Sequence, residues 1–334
     1  MYLDHFNLKD FPFRLTPDTD FLYMSPAHSR AISYMEYAVF NQEGFVVITG
    51  EIGSGKTTLI QKLLSEMDVN INVAKIFQTQ LDDVEFLQSV LVEFGMNPFS
   101  AKKVELLNML NQYLVDSYMN NKRVVLIVDD AQNLSKKVLE EICMLSGVET
   151  QKEKILHVIL VGQPELNAAL EGADMEQLLQ RISLRYHMRT LTKEETRKYV
   201  EHRVNIAGSD KDLFEDVFDT IYKYTGGTPR LINTLCDTAL TCSYADNVNV
   251  VSQEVIDTAV EELQWPEFAS KSRKDRSEFR NISVDELMDE SSGGDDYSTE
   301  YDKDSSKISS LALVEIARQL KRIANVLEEK GKSE

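Results

Sequence analysis

Eight consecutive residues, Gly50-Glu51-Ile52-Gly53-Ser54-Gly55-Lys56-Thr57, satisfy the pattern G-x-x-x-x-G-K-[ST]. Each residue type there has a chemical use. The glycines let backbone N–H groups turn inward around an anion, the lysine brings a cation to outer phosphate oxygens, and the threonine hydroxyl can ligate a hard divalent cation. With Thr58 at the start of the following helix, the expected phosphate-binding set runs from Gly50 to Thr58 and takes ATP with Mg2+. A second chemical feature lies some seventy residues downstream, where Val124-Val125-Leu126-Ile127-Val128 runs into Asp129-Asp130. A buried strand that ends in carboxylates delivers them to the edge of a sheet where ligands bind. Asp129 is the expected magnesium-side acid, beside Thr57. Asp130 stands where a base that polarises the attacking water is expected, and a solvated turn carboxylate is the competing reading. The five histidines are scattered without ligand spacing, and the three cysteines, Cys143, Cys236 and Cys242, form no C-x-x-C pair. Neither a metal cluster nor a disulfide framework is therefore expected.

The phosphate loop works only if a strand precedes it and a helix follows. Gly44-Phe45-Val46-Val47-Ile48-Thr49 has the apolar run of a buried strand, and Leu59, Leu63 and Leu64 have the spacing of a helix packed on it. Three further short apolar strands are expected at Val73 to Phe77, Val124 to Val128 and His157 to Val161. The segments Ala27 to Asn41, Val84 to Phe94 and Leu106 to Tyr118 read as helices. Strands alternating with helices predict an α/β P-loop NTPase core, a parallel sheet with helices on both faces, over residues 27–190. From residue 191 to 265 the pattern becomes all-helical, with helices expected at Glu194 to Ala207, Phe214 to Thr225, Pro229 to Tyr244 and Ser252 to Leu263. Residues 1–26, rich in aromatics and interrupted by Pro12, Pro17 and Pro26, read as an irregular segment packed on the core.

The 334 residues, 43% hydrophobic, suffice for a nucleotide-binding core and a smaller lid. Composition then shifts. Residues 266–306 read as an acidic linker, dominated over Asn281 to Ser306 by Asp, Glu, Ser and Gly, which is expected to be disordered because it has little apolar surface to bury. Leu313, Ile316, Leu320, Ile323 and Leu327 restore a heptad spacing within an amphipathic helix expected over 307–331. A net charge of -19 disfavours general binding to nucleic acid or anionic lipid. The apolar runs are far shorter than the ~20 residues of a membrane helix. Met1-Tyr2-Leu3-Asp4-His5 lacks a basic region leading into an apolar stretch, so a cytoplasmic protein without direct membrane insertion is expected.

The ordered motifs resemble the AAA+ ATPases of the ExeA or general secretion pathway protein A type over about Met1 to Leu263. Met1-Tyr2, Phe11-Pro12-Phe13, Pro17-Asp18, Thr49 through Thr58, Asp130-Ala131-Gln132-Asn133-Leu134, Val161 through Leu166, and Gly226-Gly227-Thr228-Pro229-Arg230 carry the resemblance. It implies that Gln163 is a first sensor of the terminal phosphate and Arg230 a second sensor on the lid. It implies that Arg181 is an arginine finger offered to a neighbouring subunit, with Arg185 as the alternative and a surface salt bridge as the competing role for each. The chain departs from the family at Asp130, where a glutamate is usual, which shortens the base by one methylene and puts the hydrolysis rate in question. It also carries the linker and heptad helix where larger relatives continue into a membrane helix and a peptidoglycan-binding domain.

The implied function is ATP-driven assembly of a homo-oligomer that serves a membrane-associated secretion, pilus or exopolysaccharide export system through a protein partner, peripheral to the inner membrane. Two other classes fit the same core. One is a DNA-associated regulator, because transposition ATPases resemble it; the other is a nucleotide-sensing scaffold with little hydrolysis.

Overall fold

The computed structural model describes residues 2–41, 44–99, 101–149, 154–172, 175–209 and 212–268. The acidic linker beyond its first three residues and the heptad helix over 307–331 lie outside them. Five strands, β1 (Phe45–Gly50), β2 (Ile71–Ile76), β3 (Arg123–Val128), β4 (Leu156–Gly162) and β5 (Leu184–Met188), form one parallel sheet in the order β2-β3-β4-β1-β5. The strand alternation sorts side chains by face, as a two-residue period requires. Val46, Ile48, Val125, Ile127, Ile159 and Val161 point to one side, under helices α2 (Pro26–Phe40) and α3 (Lys56–Glu66). Val47, Val124, Leu126, Val128, Val158 and Leu160 point to the other, under α4 (Asp83–Glu93), α5 (Lys103–Met119) and α6 (Lys136–Leu145). Both faces are thus covered, which explains why the central strands are predominantly apolar, with buried His157 of β4 an exception.

Local chemistry sets the ends of the elements that matter. Ser25 caps α2 by accepting a hydrogen bond from the His28 N–H, and Pro26 occupies the first turn, where its missing N–H is harmless. Helix α3 starts at Lys56 directly after Gly55, whose φ of +95° lies in the left-handed region. Helices α7 (Glu165–Leu170) and α8 (Glu176–Arg181) fill the connection from β4 to β5. The chain then enters the lid: α9 (Lys193–Ile206), α10 (Phe218–Thr225), α11 (Pro229–Ala245) and α12 (Gln253–Leu263). Thr192 and Glu195 form a reciprocal capping box at the start of α9.

Three sequence expectations are corrected. The described residues form five strands rather than four; Leu-Arg-Tyr-His-Met in β5 has no apolar run because that strand lies at the sheet edge beside β1. The helix expected from Phe214 begins at Phe218, because Phe214 instead makes a parallel bridge to Val251. The N-terminal segment opens with a short helix, α1 (Tyr2–Phe6), and its aromatics pack in the lid's apolar core rather than in either core against the sheet. Tyr2, Phe6, Phe13 and Phe21 are buried there with Leu235, Ile256 and their neighbours. The Asn233 amide donates to the Arg14 carbonyl, and the Tyr2 hydroxyl donates to Asp237, so the first residues form a strap on the lid.

Where the chain enters the lid after β5, it makes a close backbone contact with the turn before α11. Leu191 N–H donates to Gly227 O at 2.9 Å, and a Cβ on Gly227 would stand 1.8 Å from Leu191 O. Gly227 also has φ +73°. Gly227→Ala is expected to lower stability by roughly 3 kcal/mol, read from denaturant unfolding, because it combines backbone strain with an overlap against rigid backbone. An unchanged midpoint would show that this contact is looser than the geometry indicates.

Candidate active site

The sheet order places the phosphate loop at a switch point. β1 carries the loop, β3 carries Asp129, and β4 lies between them with Gln163 following its end. Their carboxyl ends open on a cleft of about 410 Å³ lined by Ile52, Gly53, Gly55, Lys56, Thr57 and Thr58 of the loop, with Asp130, Gln163 and Arg230. Ligands bind in such crevices because the loops that leave neighbouring strands diverge there. The strap and lid close the other side through Thr16, Pro17, Tyr23, Tyr199 and Arg203.

Within the loop, Gly53 and Gly55 adopt φ +77° and +95°. Lys56, buried, donates from Nζ to the carbonyls of Gly50 at 2.8 Å and Glu51 at 2.9 Å, which fixes its stem across the loop. Burial pulls its pKa below the ordinary lysine value, opposed by the carboxylates of Asp129, Asp130, Glu51 and Glu165. Thr57 Oγ1 donates to Asp129 Oδ2 at 2.8 Å. Asp129 is 2% exposed, and burial pushes its carboxyl above the usual range against the pull of Thr57 and the Asp130 N–H. A hydroxyl and a carboxylate held together at the end of the phosphate loop fit Mg2+, which takes few protein oxygens and completes its shell from phosphate and water. Gly50 and Ser54 are buried and Glu51 is exposed; none of the three lines the cleft.

Asp130 occupies the left-handed region at φ 51°, which an aspartate tolerates better than most residues. Three bonds hold it there: its N–H donates to Asp129 Oδ1, and its carbonyl accepts from the Thr79 hydroxyl at 3.2 Å and from the Asn133 N–H at 3.1 Å. Its side chain accepts from Gln132 Nε2 at 3.2 Å, and Gln132 Oε1 in turn accepts from the Gln163 N–H at 2.9 Å. Gln132 therefore ties the carboxylate after β3 to the residue after β4. Sequence reading had no role for it, although its place two residues past Asp130 was the available signal.

Arg230 enters from the lid. Its N–H donates to Gly53 O at 3.1 Å, and a Cβ on Gly53 would stand 2.5 Å from Arg230 Cβ, so loop and lid touch through a residue that must be glycine. The remaining two arginines are elsewhere. Arg181 Nη1 donates to Cys143 O at 2.7 Å, and Arg185 Nη2 bonds Asn167 Oδ1 at 3.1 Å and Glu171 Oε1 at 3.0 Å. Neither lines the cleft of its own chain. Asn167 also donates to Thr49 Oγ1, the residue just before the loop, which accepts at 3.0 Å.

An AAA domain family profile matches residues 40–170. General secretion pathway protein A of Aeromonas hydrophila is 36% identical over 247 residues, 73% of this chain and 45% of that protein, so this chain spans less than half of that relative's length. In fold, the chain is similar to Cdc6p from Pyrobaculum aerophilum, with a TM-score of 0.60 at 17% identity over 73% of this chain and 70% of that one. It is also similar to the ORC2 protein of Aeropyrum pernix, with a TM-score of 0.53 at 15% identity over 74% of this chain and 72% of the other. The chain therefore carries a match to the AAA domain family over residues 40–170 and, over the span it shares with its Aeromonas relative, is similar to general secretion pathway protein A.

Proposed function

We propose that the chain binds Mg2+-ATP in the cleft and hydrolyses it, using the cycle to drive assembly and a partner in a secretion, pilus or exopolysaccharide export system. The observation that carries this reading is the convergence of Lys56, the Thr57–Asp129 pair, the Asp130–Gln132–Gln163 chain and Arg230 on one cleft. In it, loop amides and Lys56 hold the phosphates, and Thr57 and Asp129 hold Mg2+. Bound Mg2+ supplies charge neutralisation to the phosphate oxygens. Asp130 takes the proton of the attacking water, and Gln163 orients that water or the terminal phosphate. Arg230 follows the phosphates from the lid and couples their state to lid position.

A neighbouring copy supplies the remaining cation. Arg181 is the first candidate and Arg185 the second; both stand outside their own cleft and are anchored by contacts that a neighbour's phosphate would have to outcompete. The protein is proposed to work in the cytoplasm, reaching the inner membrane through a partner; among the described residues no helix is long and apolar enough to cross a membrane. Residues 307–331 are the proposed partner-binding element.

The test is ATP turnover per chain measured across a range of protein concentration. Turnover per chain is expected to rise with concentration, and Arg181→Ala is expected to lower it about a hundredfold at saturating protein while leaving ATP binding within threefold. Turnover independent of concentration and untouched by Arg181→Ala and Arg185→Ala would remove the trans-acting arginine from the account.

A second reading has a specific observation behind it. The short Asp130 side chain, held back by Gln132, also suits a scaffold that binds ATP and rarely hydrolyses it. Tight binding with negligible turnover would select that reading.

A further inference from the structure

His28 lies in the first turn of α2, 26 residues before Ser54 of the loop, and is 4% exposed. Its Nε2 is 3.0 Å from the carbonyl oxygen of Ser54, and its Nδ1 is 2.7 Å from Ser25 Oγ. The network assigns the ring protons. Ser54 O is a carbonyl and can only accept, so Nε2 carries the proton; Nδ1 of the neutral ring is then bare and takes the hydrogen of the Ser25 hydroxyl. Nδ1 then accepts, the ring proton sits on Nε2, and Nε2–H donates to Ser54 O. Burial favours this neutral ring by holding its pKa below the ordinary histidine value.

The consequence lies in the peptide that follows. The bond between Ser54 and Gly55 is planar and trans, so its C=O and N–H point in opposite directions. A carbonyl pinned toward His28 on one side directs the Gly55 N–H to the other. The ring also fills the space beside Gly55, where a Cβ would stand 3.0 Å from His28 Nε2. His28 itself lines the cleft.

We propose that His28 is a positioning residue for phosphate binding: by anchoring the Ser54 carbonyl it aims the Gly55 amide into the phosphate cradle. The inference rests on the nucleotide-binding reading above and adds to it a residue outside the loop. It also ties the grip on phosphate to Ser25, the residue that ends the strap and begins α2.

Glutamine and methionine are close in length and flexibility, yet only glutamine carries an N–H that can replace Nε2–H. The test compares the full-length chain with His28→Gln, His28→Met and Lys56→Ala, measuring Mg2+-ATP and Mg2+-ADP affinity by calorimetry and nucleotide-free melting temperature. The expected result is that His28→Gln stays within about threefold of the parent. His28→Met should bind both nucleotides about tenfold more weakly than His28→Gln at an equal melting temperature, the size of one lost hydrogen bond. Equal affinities for the two His28 variants would overturn the proposal. So would a lower melting temperature in His28→Met that accounts for its weaker binding, since the ring would then be only a packing element. Binding undiminished in Lys56→Ala would overturn the nucleotide reading itself, whereas loss in Lys56→Ala with equal His28 variants would overturn only the role of His28.

Discussion

Lys56→Ala is expected to weaken Mg2+-ATP binding by about a hundredfold or more and to leave no measurable turnover. The ammonium is buried at the mouth of the loop and bonded to two carbonyls of the loop itself. Two hydrogen bonds from a charged donor to phosphate oxygens are worth about 3 kcal/mol in total, and each 1.4 kcal/mol is a factor of ten in affinity. The fold should survive. Removal of a desolvated cation relieves part of its burial cost, and the carbonyls of Gly50 and Glu51 lie near the solvent-open cleft. Calorimetric titration with far-ultraviolet circular dichroism separates the outcomes. A folded Lys56→Ala protein that binds ATP like the parent would mean that the loop is not the nucleotide site.

The second large effect is expected at Asp130, and it has two signs. Asp130→Ala should lower turnover about a thousandfold with ATP binding nearly unchanged, because a positioned general base contributes between 10² and 10⁴ in rate. Asp130→Glu should raise turnover about tenfold. The backbone at this position is fixed by Asp129, Thr79 and Asn133, so a longer side chain extends the carboxylate into the cleft without moving its root. A reach longer by one methylene matters because a displacement of ~1 Å at a reacting centre can cost a hundredfold. Single-turnover hydrolysis at saturating ATP reads both. If Asp130→Ala hydrolyses as fast as the parent, Asp130 is a turn carboxylate and the scaffold reading gains.

The sequence made some of this molecule legible for a clear physical reason. β1 and β3 are continuous β-branched and apolar runs because they are buried on both faces, and the loop's glycines, Lys56 and Thr57 are neighbours in sequence because they wrap one anion. Such local requirements leave local patterns. β5 was missed because an edge strand that bonds Thr49 through His187 and Asn167 through Arg185 carries polar residues in place of an apolar signature. Phe214 was placed in a helix because its spacing is helical, whereas a long-range bridge to Val251 overrides it.

The N-terminal aromatics were assigned to the wrong body for a similar reason. Their composition says that they are buried, but only the fold says that Leu235 and Ile256 are what bury them. His28 was unreadable as a site element, and Gln132 was legible only by its place two residues past Asp130, not by its role. Each depends on a hydrogen bond to a backbone group far away in sequence, Ser54 O for one and Gln163 N–H for the other, and no residue pattern encodes such a contact.

Phosphate release from ATP by the intact chain, with Mg2+ present or chelated and with Lys56→Ala in parallel, tests the central claim most directly. The expected result is release that requires Mg2+, increases per chain as protein concentration rises, and disappears in Lys56→Ala. Release that is the same in Lys56→Ala, or that persists without Mg2+, would contradict an ATPase site built from Lys56, Thr57 and Asp129.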